Sequence, residues 1–387
     1  MSRTRIVRLV TAATLALATG APPANAVAPP PIDRTLLPAQ APPAPLRPTV
    51  QRAVCTVGSL SSGGIDTQLD GLDLAAAWAL TRGDGQRIAV IDTGVAPHRR
   101  LPGLIGGGDY VSSGDGTRDC DGHGTLVAGI IAAAPDPAAD RFSGVAPAAT
   151  VIGIRASSAR FAALGDAAGI GDVEVLAKAV RTAADLGASV INISAVACRP
   201  ARSGLDDRAL GAALAYAVEV KNSVVVAAAG NTDEGCGTDG STIVTPAWYD
   251  DYVLTVGSVD GRGVASSFTL PGPWVDVAAP GEAVFSLSAV GDGMADSLDG
   301  SALRGTSFAA PVVSGVAALI RARFPQWTPR QVMDRITATA HHPPGGRDDV
   351  VGAGVVDPLA ALTFEVATSR EQTAPPPAGD GCQEQGQ

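Results

Sequence analysis

Arg87-Ile88-Ala89-Val90-Ile91-Asp92-Thr93-Gly94 carries four consecutive apolar residues and then a carboxylate and a Thr-Gly turn. An unbroken Ile/Val-rich run with no polar alternation is the pattern of a strand covered on both faces. Open parallel sheets keep their sites beyond the carboxyl ends of their strands, so Asp92 stands where chemistry is done. Strands of the same kind are expected at Thr150–Ile154, Ser189–Ile193, Val224–Ala228 and Tyr252–Val256. Segments of helical period lie between and after them, at 123–134, 173–186, 207–219, 307–322 and 328–339. Gly187 stops the second of these, and Thr328 followed by Pro329 is an N-cap with proline at the first helical position. This alternation reads as one α/β domain from about 72 to 365, a doubly wound, mostly parallel sheet with helices on both faces.

The chain has 387 residues, 46% of them hydrophobic and 17% charged, enough for a large core. Its 28 Lys+Arg against 38 Asp+Glu give a net charge of −10, and no basic cluster recurs to neutralise a row of phosphates. Nucleic acid is therefore not an expected partner. Residues 1–26 place Arg3, Arg5 and Arg8 before the apolar run Val10 to Ala18 and the small-residue site Ala24-Asn25-Ala26, the order of a secretory signal peptide. The apolar core is shorter than the ~20 residues a membrane span needs. Removal of this peptide takes the net charge from −10 to −13, and export puts the five cysteines where disulfides persist. Residues 27–50 hold eight prolines, a composition of extended, polyproline-like backbone. The whole 27–71 segment is expected to wrap the catalytic domain as an arm. Residues 366–387, polar and containing Pro375-Pro376-Pro377, read as a disordered tail.

Three segments each put one reactive residue type at a strand end or a helix start, in the order Asp, His, Ser. The first ends on Asp92. In the second, Asp121-Gly122-His123-Gly124-Thr125-Leu126-Val127-Ala128-Gly129, a histidine opens an apolar helix beside small glycines. In the third, Gly305-Thr306-Ser307-Phe308-Ala309-Ala310-Pro311, a serine starts the most apolar helix of the chain, where backbone N–H groups favour a developing negative charge. Taken singly, these are a turn former and two helix caps. Together they resemble the signatures of the subtilisin-like serine proteases, the subtilases, over about 72–365. The resemblance implies that Ser307 is the nucleophile, His123 its base and Asp92 the group that orients His123. It also implies that Asn231, in Ala228-Ala229-Gly230-Asn231, donates its amide to the oxyanion together with the Ser307 N–H. Substrate would pair as a strand with two edges, Ser194-Ala195-Val196 and Ala168-Gly169-Ile170-Gly171. Val196 stands where subtilases usually carry glycine, and a branched side chain there is expected to narrow the cleft. His98 reads as loop architecture, and His341-His342, with no carboxylate or cysteine at ligand spacing, as a solvated loop and no metal site. No cofactor is expected, and structural calcium is not legible.

The cysteines refine the reading. Cys198 and Cys236 follow neighbouring strands by a few residues, so both leave the same sheet edge and are expected to pair across the cleft rim. Cys55 paired with Cys120 would tie the arm beside His123, leaving Cys382 over. This pattern, with Asn192-Ile193-Ser194-Ala195-Val196-Ala197-Cys198, resembles the mycosins, the subtilases attached to actinobacterial type VII secretion systems. Mycosins typically finish with a transmembrane helix after a Pro-rich linker, whereas no apolar run after residue 26 approaches spanning length. An exported chain of the extracellular space or cell envelope is expected. Its expected partners are a protein or peptide substrate and membrane-embedded secretion components. Three functions stay open at this stage: a narrow-specificity processing protease, a scaffold of the secretion complex, and a general scavenging protease.

Overall fold

The computed structural model describes residues 28–60, 67–166, 168–200, 203–232, 236 and 242–363. The signal-peptide and tail readings, and Cys382, lie outside these residues. Seven strands form the central sheet: β1 Arg87–Asp92, β2 Ile105–Asp109, β3 Thr150–Arg155, β4 Val190–Ile193, β5 Val224–Ala228, β6 Val253–Val259 and β7 Val277–Pro280. Their spatial order is β7-β6-β5-β4-β1-β3-β2, and every pairing is parallel. From β1 the chain crosses to the edge strand β2, comes back to fill β3 between them, and then builds β4 to β7 outward on the other side of β1. This reversal leaves a crevice beyond the carboxyl ends of β1 and β4.

Successive strand residues point to opposite faces, and the sequence fills both with aliphatic groups. Ile88 and Val90 of β1, with Val224 and Val226 of β5, face α1 (His123–Ala132) and α4 (Thr306–Arg323). Ala89, Ile91, Val225 and Ala227 face α2 (Val173–Asp185) and α3 (Arg208–Ala215). Each such buried Val or Ile contributes roughly 1.5–3 kcal/mol by leaving water. The helix α4 is buried on nearly every side, which is why its sequence carries no amphipathic stripe. In α5 (Pro329–Ala338), Thr328 Oγ1 accepts from the Gln331 N–H while Gln331 accepts from the Thr328 N–H, a reciprocal cap.

Two strands of the central sheet escaped the sequence reading. Ile105-Gly106-Gly107-Gly108-Asp109 has no apolar run because its glycines are where Ile152, Ile154 and Pro43 press against the edge. Val277-Ala278-Ala279-Pro280 is four residues long and ends in proline. The helix expected over 207–219 is α-helical only to Ala215 and continues as a π-turn, Tyr216–Val220.

Residues 28–60 run along the surface of this sheet-and-helix body. Thr49–Gln51 pairs antiparallel with Phe161–Ala163, and Gly58–Ser59 pairs with Ser297–Leu298. Arg181 donates to the Pro38 carbonyl, Arg34 pairs with Glu219, and Cys55 is bonded to Cys120.

Candidate active site

The carboxylate at the end of β1 is 3% exposed, and its Oδ1 accepts from the Thr93 N–H at 2.7 Å. His123 is the first residue of α1, so its ring leaves the helix where the chain enters from the loop. The two segments come together because both carry glycine. A Cβ on Gly124 would lie 2.0 Å from the Gly94 carbonyl oxygen. At this separation His123 Nδ1 lies 2.8 Å from Asp92 Oδ1 and His123 Nε2 lies 3.0 Å from Ser307 Oγ. The other Asp92 oxygen is buried without a hydrogen-bond partner, so the imidazole and Thr93 carry what solvation this carboxylate has. The Phe308 ring, centred 4.9 Å from that of His123, closes one side of the imidazole.

Asp119 fixes the approach of these segments. Its carboxylate accepts from Thr93 Oγ1 (2.9 Å), the Gly122 N–H (2.7 Å), the Thr125 N–H (2.8 Å) and Thr125 Oγ1 (2.7 Å). One side chain thus ties the turn after Asp92 to the first turn of α1. Removal from water raises its carboxyl above the ordinary value and the nearby Asp92 charge adds to the rise, against the lowering by the Thr125 and Thr93 donors. Asp121 accepts from Ser158 Oγ (2.5 Å) and the Ala159 N–H (2.7 Å) and so fixes the 158–160 segment at the cleft edge.

Ser307 is set by its own helix. Pro311 has no N–H, so the Ser307 carbonyl lacks its usual partner four residues on. Ser194 Oγ donates to that carbonyl instead, at 2.8 Å. Ser194 in turn accepts from Asn192 Nδ2 (2.9 Å), and Asn192 Oδ1 accepts from Ser314 Oγ (2.8 Å). This buried chain pins the start of α4 to the end of β4.

Asn231 is oriented by Thr306. Asn231 Oδ1 accepts from the Thr306 N–H (3.1 Å) and Thr306 Oγ1 (3.0 Å), which turns Nδ2 the other way. A Cβ on Gly305 would lie 3.0 Å from Ser307 Oγ, 3.4 Å from Asn231 Nδ2 and 3.7 Å from the Ser307 N. Glycine therefore leaves open a single point that a nucleophile and two N–H donors share, the requirement for holding an oxyanion.

The proposed substrate edges flank this point. Ile170 exchanges both backbone hydrogen bonds with Ser158 at 2.8 Å, and Gly169 and Ile170 line a cleft of about 690 Å³ with Thr93 and His123. Its far wall comes from residues the sequence reading did not place there. Arg160 donates to Thr56 Oγ1 of the arm and pairs with Asp299, and Leu298 stands beside Gly122. Gly171, Ala195 and Val196 border a smaller apolar pocket of about 190 Å³ with Ile91, Val173 and Leu176. Behind that edge, Ala197–Pro200 pairs antiparallel with Thr242–Thr245 and Cys198 is bonded to Cys236. A larger cavity of about 1010 Å³ lies elsewhere and contains none of the triad; it is bordered by His341 and His342. His341 is exposed and paired with Asp357 at 3.1 Å, and His342 contacts the Ala353 carbonyl. His98 is buried, between the Gly293 carbonyl and the Arg100 N–H, and burial lowers its pKa.

Residues 83–354 match the profile of the subtilase family. The chain belongs to the subtilase family. Within it, this subtilase is 60% identical to Mycosin-4 of Mycobacterium tuberculosis, across 94% of this chain and 85% of that protein. Among solved structures it resembles the MycP3 protease from the type VII (ESX-3) secretion system, at 45% identity and a TM-score of 0.81, covering 88% of this chain and 100% of the other. It also resembles a chain of the intact ESX-5 inner membrane complex, at 43% identity and a TM-score of 0.83, covering 93% of each. The subtilase is thus a serine protease of mycosin type. Among its described residues, no helix is long and apolar enough to cross a membrane.

Proposed function

We propose that this subtilase is an endopeptidase of the cell envelope that processes a narrow set of proteins within a type VII secretion apparatus. The hydrogen-bonded line Asp92–His123–Ser307, ending beside the point shared with Asn231 Nδ2, carries this reading. A substrate strand lies between the 168–171 and 194–196 edges. Ser307 Oγ attacks the peptide carbonyl as its proton passes to His123 Nε2, and Asp92 Oδ1 holds Nδ1–H and stabilises the imidazolium. The Ser307 N–H and Asn231 Nδ2 hold the tetrahedral oxyanion. His123 then protonates the departing amine, and the acyl group left on Ser307 is released by a water that His123 deprotonates.

Narrow specificity is supported by Val196 in a substrate edge and by the Cys198–Cys236 bond behind it. Placement in the apparatus is supported by the similarity to a chain of the ESX-5 inner membrane complex. The same similarity favours a second role as a structural component of that assembly. The purified chain freed of residues 1–26 is compared with its Ser307→Ala variant on casein and on short fluorogenic peptides. Slow or undetectable casein digestion together with Ser307-dependent peptide turnover is expected; brisk, unselective digestion favours the scavenging reading. Recovery of Ser307→Ala in membranes only when the other secretion components are present would support the structural role.

A further inference from the structure

The two segments that flank Ser307 define where the side chain before the scissile bond must go. Strands β4 and β5 are paired as far as Ile193 and Ala227. Beyond that their pairing ends, while β5 stays on its ladder with β6, the Ala229 N–H donating to the Val256 carbonyl at 2.9 Å. Ser194 stays beside the nucleophile through the Ser307 carbonyl, and the Gly230 N–H donates to Thr306 Oγ1 at 3.1 Å. The slot between 194–196 and 229–231 therefore opens next to Ser307 Oγ. An acyl carbon bonded there, with its oxygen toward Asn231 Nδ2, directs the preceding side chain into this slot.

The slot is filled. Val196 Cγ2 lies 3.1 Å from the position a Cβ on Gly230 would take, so the side chain of one wall reaches the opposite wall. Gly230, at φ +97°, adopts a conformation that side-chain-bearing residues rarely take, so that wall is glycine for a backbone reason. Val196 packs with Cys236, Val244, Ala247 and Leu270. A β-branched side chain has few χ1 positions to yield to. The ladder of Ala197–Pro200 with Thr242–Thr245, with the Cys198–Cys236 bond, closes the slot behind it.

Resting on the serine-endopeptidase reading above, we propose that Val196 restricts this enzyme to substrates with Gly, Ala or Ser immediately before the cleaved bond. A Leu or Phe there finds no volume to enter. In a hydrophobic pocket each methylene of misfit is worth about 10- to 200-fold in kcat/KM.

The test uses peptidyl diphenyl phosphonates that differ only in the residue next to phosphorus, Ala or Phe, and reads the rate at which each inactivates the full chain. A small fluorophosphonate with no such side chain is run beside them. In the unsubstituted enzyme the Ala reagent is expected to react at least about tenfold faster than the Phe reagent. In Val196→Gly the Ala-to-Phe ratio is expected to fall by at least about tenfold. The ratio is taken within one preparation, so a loss of folded protein in the variant does not affect it. Labelling of Ser307 by the fluorophosphonate with a wild-type ratio near one, or with a ratio that Val196→Gly leaves unchanged, overturns the inference and leaves the protease reading standing. Absence of any fluorophosphonate labelling overturns the protease reading and this inference with it.

Discussion

Asn231 does two jobs with one amide, and replacing it by alanine separates them. Its Nδ2 faces the point beside Ser307 Oγ where charge develops, and its Oδ1 accepts from the Thr306 N–H and hydroxyl. Loss of Nδ2 removes one of two oxyanion donors. In subtilisin, a member of the same family, that loss costs about 10²–10³ in kcat, or about 2.7–4 kcal/mol of transition-state stabilisation. Loss of Oδ1 acts on the folded state instead. Thr306 is 1% exposed, so its N–H is left buried and unpaired, at about 1–3 kcal/mol. Asn231→Ala should therefore lower kcat by about 10²–10³ with little change in KM, and also lower the melting temperature by a few degrees. Asn231→Asp keeps the acceptor for Thr306 but presents an oxygen to the oxyanion. It should keep more of the stability and lose more of the rate. Steady-state kinetics on a short peptide, paired with thermal unfolding of the same samples, reads both halves. Full activity in Asn231→Ala, or a loss as complete as that of Ser307→Ala, would refute the division between stabilising and reacting groups.

Burial pushes the Asp276 carboxyl up to about 7 from the ordinary 3.8, with Asp250 raising it further and Arg347 and Arg330 lowering it. The native state thus binds this proton more tightly than the unfolded chain. The resulting penalty is absent below about pH 4, grows through pH 7 and reaches at most about 4 kcal/mol above it. Asp276→Asn, whose amide oxygen still accepts from the Thr255 N–H, should be more stable than wild type at pH 8 and no more stable near pH 4, measured by denaturant unfolding at both values. The Cys55–Cys120 bond closes a loop with a sequence separation of 65, worth up to about 4 kcal/mol by restricting the unfolded chain. The Cys55→Ser, Cys120→Ser double variant should be less stable and cut sooner by trypsin within residues 28–60, read by mass spectrometry of the fragments.

What was legible in the sequence followed physical strength of signal. The Ile/Val runs of β1, β4 and β5 announce themselves because both faces are buried, and Asp92, His123 and Ser307 stand in segments whose glycines and order leave few alternatives. The glycine-rich edge strand carried no such signal, since what makes it a strand is the close approach of Ile152, Ile154 and Pro43. The supports of the site were hidden for a related reason. Asp119 sits four residues before His123 in a run with a second acid, and only the fold shows that it binds both the Asp92 turn and the first turn of α1. That Ser194 caps the carbonyl freed by Pro311, and that Thr56 and Arg160 build a cleft wall, depends on pairings across about a hundred residues or more. The Cys198–Cys236 pair was legible because both cysteines follow strands whose places in the sheet were already assigned, whereas for Cys55–Cys120 the one guide was that Cys120 stands three residues before His123.

Reaction of the chain, arm intact, with a fluorophosphonate reads directly whether Asp92, His123 and Ser307 form a working nucleophile. A single adduct on Ser307 is expected, located by mass spectrometry of the digested protein, with its loss in Ser307→Ala. His123→Ala should react far more slowly, because the serine is then without its base. No adduct on the folded chain, an adduct on another serine, or labelling that appears only after residues 27–71 are removed would contradict it.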